Sequence, residues 1–177
     1  MAFEMPTLPV GNLLPVRTAP AHVLGEQTSP VEPTDPAVMQ LAADLLVTMK
    51  SAPGCVGLAA NQVGVSWRMF SLDVSQHPKT RTCHGEFVLV NPSVVSATRK
   101  ERGREGCMSV PDFTGDVRRA TRLVLTGQLV GDGRTIEITT DAFEARAIQH
   151  EVDHLDGLLF LDRVSGAHAV HPRQTYQ

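Results

Sequence analysis

The chain has 177 residues, 42% hydrophobic and 20% charged, which predicts one globular domain spanning 1–177 with a core that needs no covalent staples. A formal net charge of −3 argues against a general nucleic-acid-binding surface, and three widely spaced cysteines, Cys55, Cys83 and Cys107, do not suggest a disulfide framework. No stretch approaches the ~18 apolar residues of a membrane span, and Met1–Val16 has no basic start followed by an apolar run, so a reducing cytoplasm is the default location.

Residues 1–33 carry Pro6, Pro9, Pro15, Pro20, Pro30 and Pro33 and show no period. They read as an extended segment, with 1–20 as an N-terminal arm that either wraps a surface or is loosely held. The first periodic element follows. Thr34 or Asp35 caps a helix, Pro36 suits its first turn, and Val38, Leu41, Leu45 and Met49 recur at helical spacing until Pro53-Gly54 stops it. In Cys55–Gly64, small residues between glycines let a backbone pass close to another strand or to a ligand. Gln62, a carboxamide with two donors and an acceptor, is the candidate there to hold a carbonyl oxygen. Trp67–Val74 and Phe87–Asn91 read as strands joined by a polar loop, in which His77 and His84 are expected to be solvated and are given no role.

Glu101–Pro111 brings charges and glycines up to Cys107, a glycine-flanked cysteine in a loop or bent strand where its thiolate could face a cleft. Val117–Val130 and Thr135–Thr139 predict a hairpin across the turn Gly131-Asp132-Gly133. Asp141, with Glu144 three residues on, predicts a capping-box start for a last helix that ends at Gly157. That helix carries His150-Glu151-Val152-Asp153-His154, the H-E-x-x-H pattern. At about 100° per residue the two histidines lie about 40° apart around the axis, one turn apart, where both can bind one metal ion. Glu151 projects to the side, within reach of the metal's water without being a ligand. Phe143, Ala147, His150 and His154 fall within about 60° on the helix wheel, so the histidines continue an inward-facing apolar stripe. Two buried histidines beside a buried acid are costly unless hydrogen-bonded or metal-bound. Beyond Arg163, residues 164–177 form a short polar tail that is expected to fray.

Three separated stretches resemble the signature motifs of peptide deformylases. They are Cys55-Val56-Gly57-Leu58-Ala59-Ala60-Asn61-Gln62, Glu105-Gly106-Cys107-Met108-Ser109 and Gln149-His150-Glu151-Val152-Asp153-His154, against Gly-x-Gly-Leu-Ala-Ala-x-Gln, Glu-Gly-Cys-x-Ser and Gln-His-Glu-x-Asp-His. The resemblance covers roughly residues 20–163 and implies a single α+β domain with mixed or antiparallel strands packed around a central metal-binding helix. It implies a metallohydrolase that removes formyl from the N-terminal formylmethionine of nascent peptides and releases formate. Cys107 then joins His150 and His154 as ligands of one divalent ion, Fe²⁺ in the cell, with Zn²⁺, Ni²⁺ or Co²⁺ as replacements in purified protein. By the same resemblance, Glu151 takes a proton from the metal-bound water that attacks the formyl carbon. Gln62 and the Met108 backbone N–H then receive the developing oxyanion. Val56 and Gly57 let substrate backbone approach, and Phe143 and Ala147 offer an apolar pocket for the methionine side chain.

No specific nucleic acid and no membrane partner are expected. A transient ribosome contact is the remaining partner expectation, and the tail lacks the long basic helix some members are thought to use for it. The first motif glycine is replaced by Cys55, which is strained if that position has φ > 0 and otherwise alters the cleft rim, adding a second thiol near the metal. A zincin-like endopeptidase would share the histidines and glutamate but leaves Gln62 and Cys107 unexplained. A non-catalytic metal-binding domain leaves Glu151 unexplained.

Overall fold

The computed structural model describes residues 2–174, so Met1 of the arm and 175–177 of the tail lie outside the described residues. Helix α1 spans Pro36–Ser51, with the Asp35 side chain accepting from Ala37 N at 2.8 Å and proline in the first turn. The strands are β1 Gly57–Ala59, β2 Met69–Leu72, β3 Phe87–Cys107, β4 Val110–Leu129, β5 Thr135–Asp141 and β6 Val170–Pro172, and helix α2 spans Ala142–Leu155. Every paired strand is antiparallel to its neighbour, in the order β1-β2-β3-β4-β5, with β6 added on β4. Among the described residues no helix is long and apolar enough to cross a membrane.

The sheet lies between the two helices because its central strands are apolar on both faces, as a doubly covered sheet requires. Along β2 and the start of β3, Phe70, Leu72, Phe87 and Leu89 pack with Ile148, Val152 and Leu155 of α2. The alternating residues Met69, Val88 and Val90 pack with Val38, Leu41, Leu45 and Met49 of α1. Further along, β3 runs sixteen residues past the Asn91 at which the sequence ends it, with irregularities in the pairing at Val90/Ser93 and Val94/Ser96. This portion is exposed on both sides from Ser93 to Arg102, so no buried face leaves a period in the sequence. Likewise β4 begins at Val110 rather than Val117.

Residues 2–18 form no helix or strand, yet they are bonded along α1 and into the site. Asn12 N donates to Asp44 Oδ1 at 2.7 Å, Leu14 N to Thr48 Oγ1 at 3.0 Å and Arg17 N to the Gln62 carbonyl at 2.7 Å. Asn91 clamps the following segment, accepting from Val31 N at 2.9 Å and donating to the Val31 carbonyl at 2.8 Å. At the other end the expected fraying after Arg163 does not occur through Arg173, because β6 supplies ladder partners and Arg173 N donates to the Asp112 carbonyl at 2.8 Å.

Helix α2 ends as its sequence predicts, with Gly157 in the left-handed region at φ 76°. Its start differs. Asp141 is the N-cap residue but makes no side-chain cap, since its carboxylate accepts from Thr82 N at 3.2 Å. Glu144, fully buried, turns away to accept from Thr140 Oγ1 at 2.6 Å and His84 N at 2.8 Å, and meets His84 Nδ1 at 2.7 Å. His84 is therefore an internal partner, not a solvated loop residue.

A buried chain of charges fixes α2 against β3 and β4. Glu105 receives Arg119 Nε and Nη2 at 2.9 and 3.0 Å and Arg146 Nη1 at 2.8 Å, and Arg119 continues to Asp153, which Arg163 also contacts. Burial alone would raise the Glu105 pKa, but hydrogen bonds from His150 and Arg119, with the Arg119 charge, hold it well below the ordinary carboxylate range. Gln149 adds neutral ties, donating to the Ala120 carbonyl at 2.9 Å and accepting from Ala120 N at 3.1 Å.

Arg119→Met should destabilise the fold by about 3–5 kcal/mol, because two buried carboxylates lose their shared cation; a urea midpoint within error of the parent would contradict this. Asn91 sits at φ 51°. Asn91→Ala should therefore cost about 2–3 kcal/mol, combining lost hydrogen bonds with backbone strain, and Asn91→Gly roughly 1 kcal/mol less. Equal losses in the two variants would remove the strain component.

Candidate metal centre

Three elements bring the sequence-predicted residues together. The first is β1 with the 3-10 turn Ala60–Val63 that follows it. The second is the two-residue turn Met108-Ser109, across which Cys107 pairs with Val110 as β3 hands over to β4. The third is α2. A cleft of about 290 Å³ opens among them, lined by Val56, Gly57 and Gln62, by Cys107 and Met108, and by Phe143, Ala147, His150 and Glu151. All ten residues singled out in the sequence meet at this cleft except His154, which lies fully buried behind it.

Donor atoms of Cys107, His150 and His154 lie within 4.8 Å of one another. Cys107 Sγ is 3.2 Å from His154 Nε2. Sulfur and nitrogen ligands at about 2.3 and 2.0–2.1 Å from a tetrahedral ion are separated by roughly 3.5 Å, so the donors already stand near that spacing. His150 Nδ1 meets Glu105 Oε2 at 3.0 Å, leaving Nε2 for the centre. A carboxylate behind the imidazole fixes its orientation and raises its basicity as a ligand.

The surroundings act on the two imidazoles in opposite directions. Burial opposes a charge on His150, but hydrogen bonds with Cys107 and Glu105 raise its pKa well above the usual value. Burial, then the neighbouring His150 charge, pushes His154 well below it.

Glu151 lies alongside, 4% exposed, with Oε2 buried and without a hydrogen-bond partner. Burial raises its carboxyl to about 7, partly offset by the charges of His150 and Arg119. Gly57 makes room for it, since a Cβ there would stand 2.5 Å from Glu151 Oε1. The glycine expected to admit substrate backbone is therefore also a requirement of the acid. Gln62 is buried and oriented, with Oε1 accepting from Ala59 N at 2.9 Å and Nε2 directed at Ser109 Oγ, 3.1 Å, and Cys107 Sγ, 3.5 Å.

Positive φ belongs to Gly54, at 75°, and not to Cys55, so the cysteine is unstrained. Cys55 Sγ donates to the Gly57 carbonyl at 3.2 Å, and burial, then the Glu151 charge, raises its thiol to about 12. His77, expected in solvent, stacks on Phe143 with ring centroids 3.5 Å apart and lines the cleft.

Several supporting residues escaped the sequence reading. Glu105 stands within a quoted motif without a role, and its signal was an acid two residues before a candidate ligand. Asn61, fully buried, donates from Nδ2 to the His154 carbonyl at the end of the ligand helix. Arg119 and Asp153 carry no local sequence signal, because their pairing links positions 34 residues apart.

The profile of the family described as polypeptide deformylase matches residues 13–169. A protein named peptide deformylase 2 from Vibrio vulnificus is 44% identical over 154 residues, covering 86% of this chain and 87% of its own. The crystal structure of a peptide deformylase from Thermotoga maritima superposes with a TM-score of 0.79 at 31% identity, covering 88% of this chain and 99% of that one. A class I type b peptide deformylase from Acinetobacter baumannii, solved with Met-Ala-Ser bound, gives a TM-score of 0.78 at 31% identity over 86% of this chain and 99% of that one. With an α+β fold, an antiparallel sheet and a Cys-His-His cluster beside a buried glutamate, the chain belongs to the polypeptide deformylase family.

Proposed function

We propose that this protein removes the formyl group from N-terminal formylmethionine of nascent peptides in the cytoplasm, with residues 1–177 as one catalytic domain, 1–20 its arm and 164–177 its tail. The observation that carries this reading is the convergence of the Cys107, His150 and His154 donors within 4.8 Å, with Glu151 and Gln62 lining the same cleft. Helix α2 is then the metal-binding helix around which the strands are arranged.

A divalent ion held by Cys107, His150 and His154 supplies a Lewis acid that acidifies a water and polarises the formyl oxygen. Two neutral imidazoles and one thiolate leave such a site with a single net positive charge. Fe²⁺ is the proposed ion in the cell, with Zn²⁺, Ni²⁺ or Co²⁺ able to replace it.

The remaining steps belong to the chain. Substrate enters extended along β1, which has β2 on one side only and so offers a free edge beside Val56 and Gly57. Its methionine side chain packs against Phe143 and Ala147. Glu151 takes the proton from the attacking water as the new carbon–oxygen bond forms. Burial, which raises its pKa, suits it to hold that proton. Gln62 Nε2 and the Met108 N–H donate to the oxyanion; Gln62 needs no reorientation, because Ala59 N already holds its oxygen. As the carbon–nitrogen bond breaks, Glu151 returns the proton to the leaving amine, and formate and the free N-terminus depart.

Anaerobically purified, Fe²⁺-loaded protein should release formate from formyl-Met-Ala-Ser and leave unformylated peptides intact. Absence of formate, or internal cleavage, would sink the assignment. Glu151→Gln should retain metal at one ion per chain while kcat falls roughly 10²–10⁴-fold; loss of the metal as well would make Glu151 a ligand. Gln62→Leu should lower kcat by roughly 10²–10³-fold, and a change confined to KM would assign Gln62 to ground-state binding instead.

A further inference from the structure

One wall of the cleft carries a side chain that the proposed chemistry does not use. Arg173, the residue after β6, lines the cleft beside Gly106 and Cys107. Its backbone is fixed, because β6 pairs with Phe113–Gly115 of β4 and Arg173 N donates to the Asp112 carbonyl at 2.8 Å. The side chain reaches the end of β3, where Nη2 donates to the Cys107 carbonyl at 3.0 Å. Gly106 leaves the space for it, since a Cβ there would stand 2.7 Å from Nη2 and displace the guanidinium. A residue of the segment expected to fray is thus seated at the mouth of the formyl site.

The charge on this side chain is uncompensated. The other cations lining the cleft are committed, Arg146 to Glu105 and Arg104 to Asp116. Neither acid is left over, because Glu105 is also shared by Arg119 and His150, and Asp116 by Arg102 and His171. Arg173 is exposed and forms no ion pair among the described residues. Its bond to the Cys107 carbonyl uses one N–H of a planar fork that matches a carboxylate with two. An anchor for the tail would need no more than that one donor, and the β6 ladder already supplies the anchoring.

We infer that Arg173 is a specificity-determining residue, which receives an acidic side chain from one of the two residues that follow the formylmethionine. This rests on the proposed function. With methionine against Phe143 and Ala147 and the backbone along β1, the next residues leave through the same cleft of about 290 Å³, within side-chain reach of its β3 wall. The C-terminus of a nascent chain is remote from this point, so the matching carboxylate comes from a side chain. Lysine or arginine at the same place meets like charge and is disfavoured. Because Arg173 is exposed, solvent and salt screen the pairing, and the preference is about fivefold at low ionic strength.

The test measures formate release by the metal-loaded full chain from C-terminally amidated formyl-Met-Asp-Ser and formyl-Met-Ala-Asp, each beside its Asn and Lys counterparts. In at least one series kcat/KM should be about fivefold higher for Asp than for Asn, through KM, and the ratio should approach one at about 1 M salt. Arg173→Gln should bring the Asp/Asn ratio to one, Arg173→Lys should keep part of it, and Arg173→Glu should reverse it in favour of Lys. A tail anchor would lower all peptides alike and leave the ratio where it was. A ratio of one in the parent at both positions, a ratio that survives Arg173→Gln, or a preference confined to peptides with a free C-terminal carboxylate would each overturn the inference. Absence of formate from every peptide would count against the proposed function instead. Calorimetric binding of amidated Met-Asp-Ser, Met-Asn-Ser, Met-Ala-Asp and Met-Ala-Asn would still decide the charge preference.

Discussion

The site depends on one buried carboxylate. Glu105 lies at the end of β3, two residues before Cys107, and its oxygens are shared by Arg119 of β4 and by Arg146 and His150 of α2. Burying a charge is tolerable only when it is paired and hydrogen-bonded, and here each partner comes from an element that carries or supports a ligand. The same oxygen pair that neutralises Arg119 also sets the His150 ring, so the fold cannot close without orienting the ligand. Such coupling favours a rigid site, because any shift of α2 against the sheet breaks an ion pair before it moves a histidine.

A second constraint is spatial. Glu151 is held in place from the β1 side by the missing side chain of Gly57, and one of its oxygens finds no protein partner. Buried polar atoms are normally satisfied, so an orphaned carboxylate oxygen beside a cleft is a cost to the fold that the role proposed for Glu151 would explain. Gln62 shows the opposite arrangement. Its oxygen is held by Ala59 N and its Nε2 donates to Ser109 Oγ, which together fix the orientation of the amide.

What the sequence disclosed followed from periodicity and local chemistry. α1, the end of α2 and the apolar starts of the strands were legible because their burial repeats at 3.6 or fills both faces. Eight of the ten candidate site residues lie in three short motifs, and Phe143 and Ala147 were placed by the helix wheel. The long reach of β3 was not, because Ser93–Arg102 is exposed on both sides and strand pairing alone holds it extended. The start of α2 was misjudged for a related reason. Asp141 and Glu144 have capping-box spacing, but Thr82 and His84, some sixty residues earlier, compete for their oxygens and win.

The two cysteines of the cleft show how environment, not residue type, separates a candidate ligand from a bystander. Cys107 lies beside both histidines, with Gln62 Nε2 at 3.5 Å and Ser109 N donating to its sulfur at 3.4 Å. Cys55 faces the reverse, because its sulfur must donate to the Gly57 carbonyl and burial beside Glu151 raises its thiol to about 12. At neutral pH it stays protonated and a poor competitor for an ion. The substitution of the first motif glycine therefore leaves the proposed ligand set intact. Its consequence falls on the β1 rim, where the Gly57 carbonyl accepts from the Cys55 thiol.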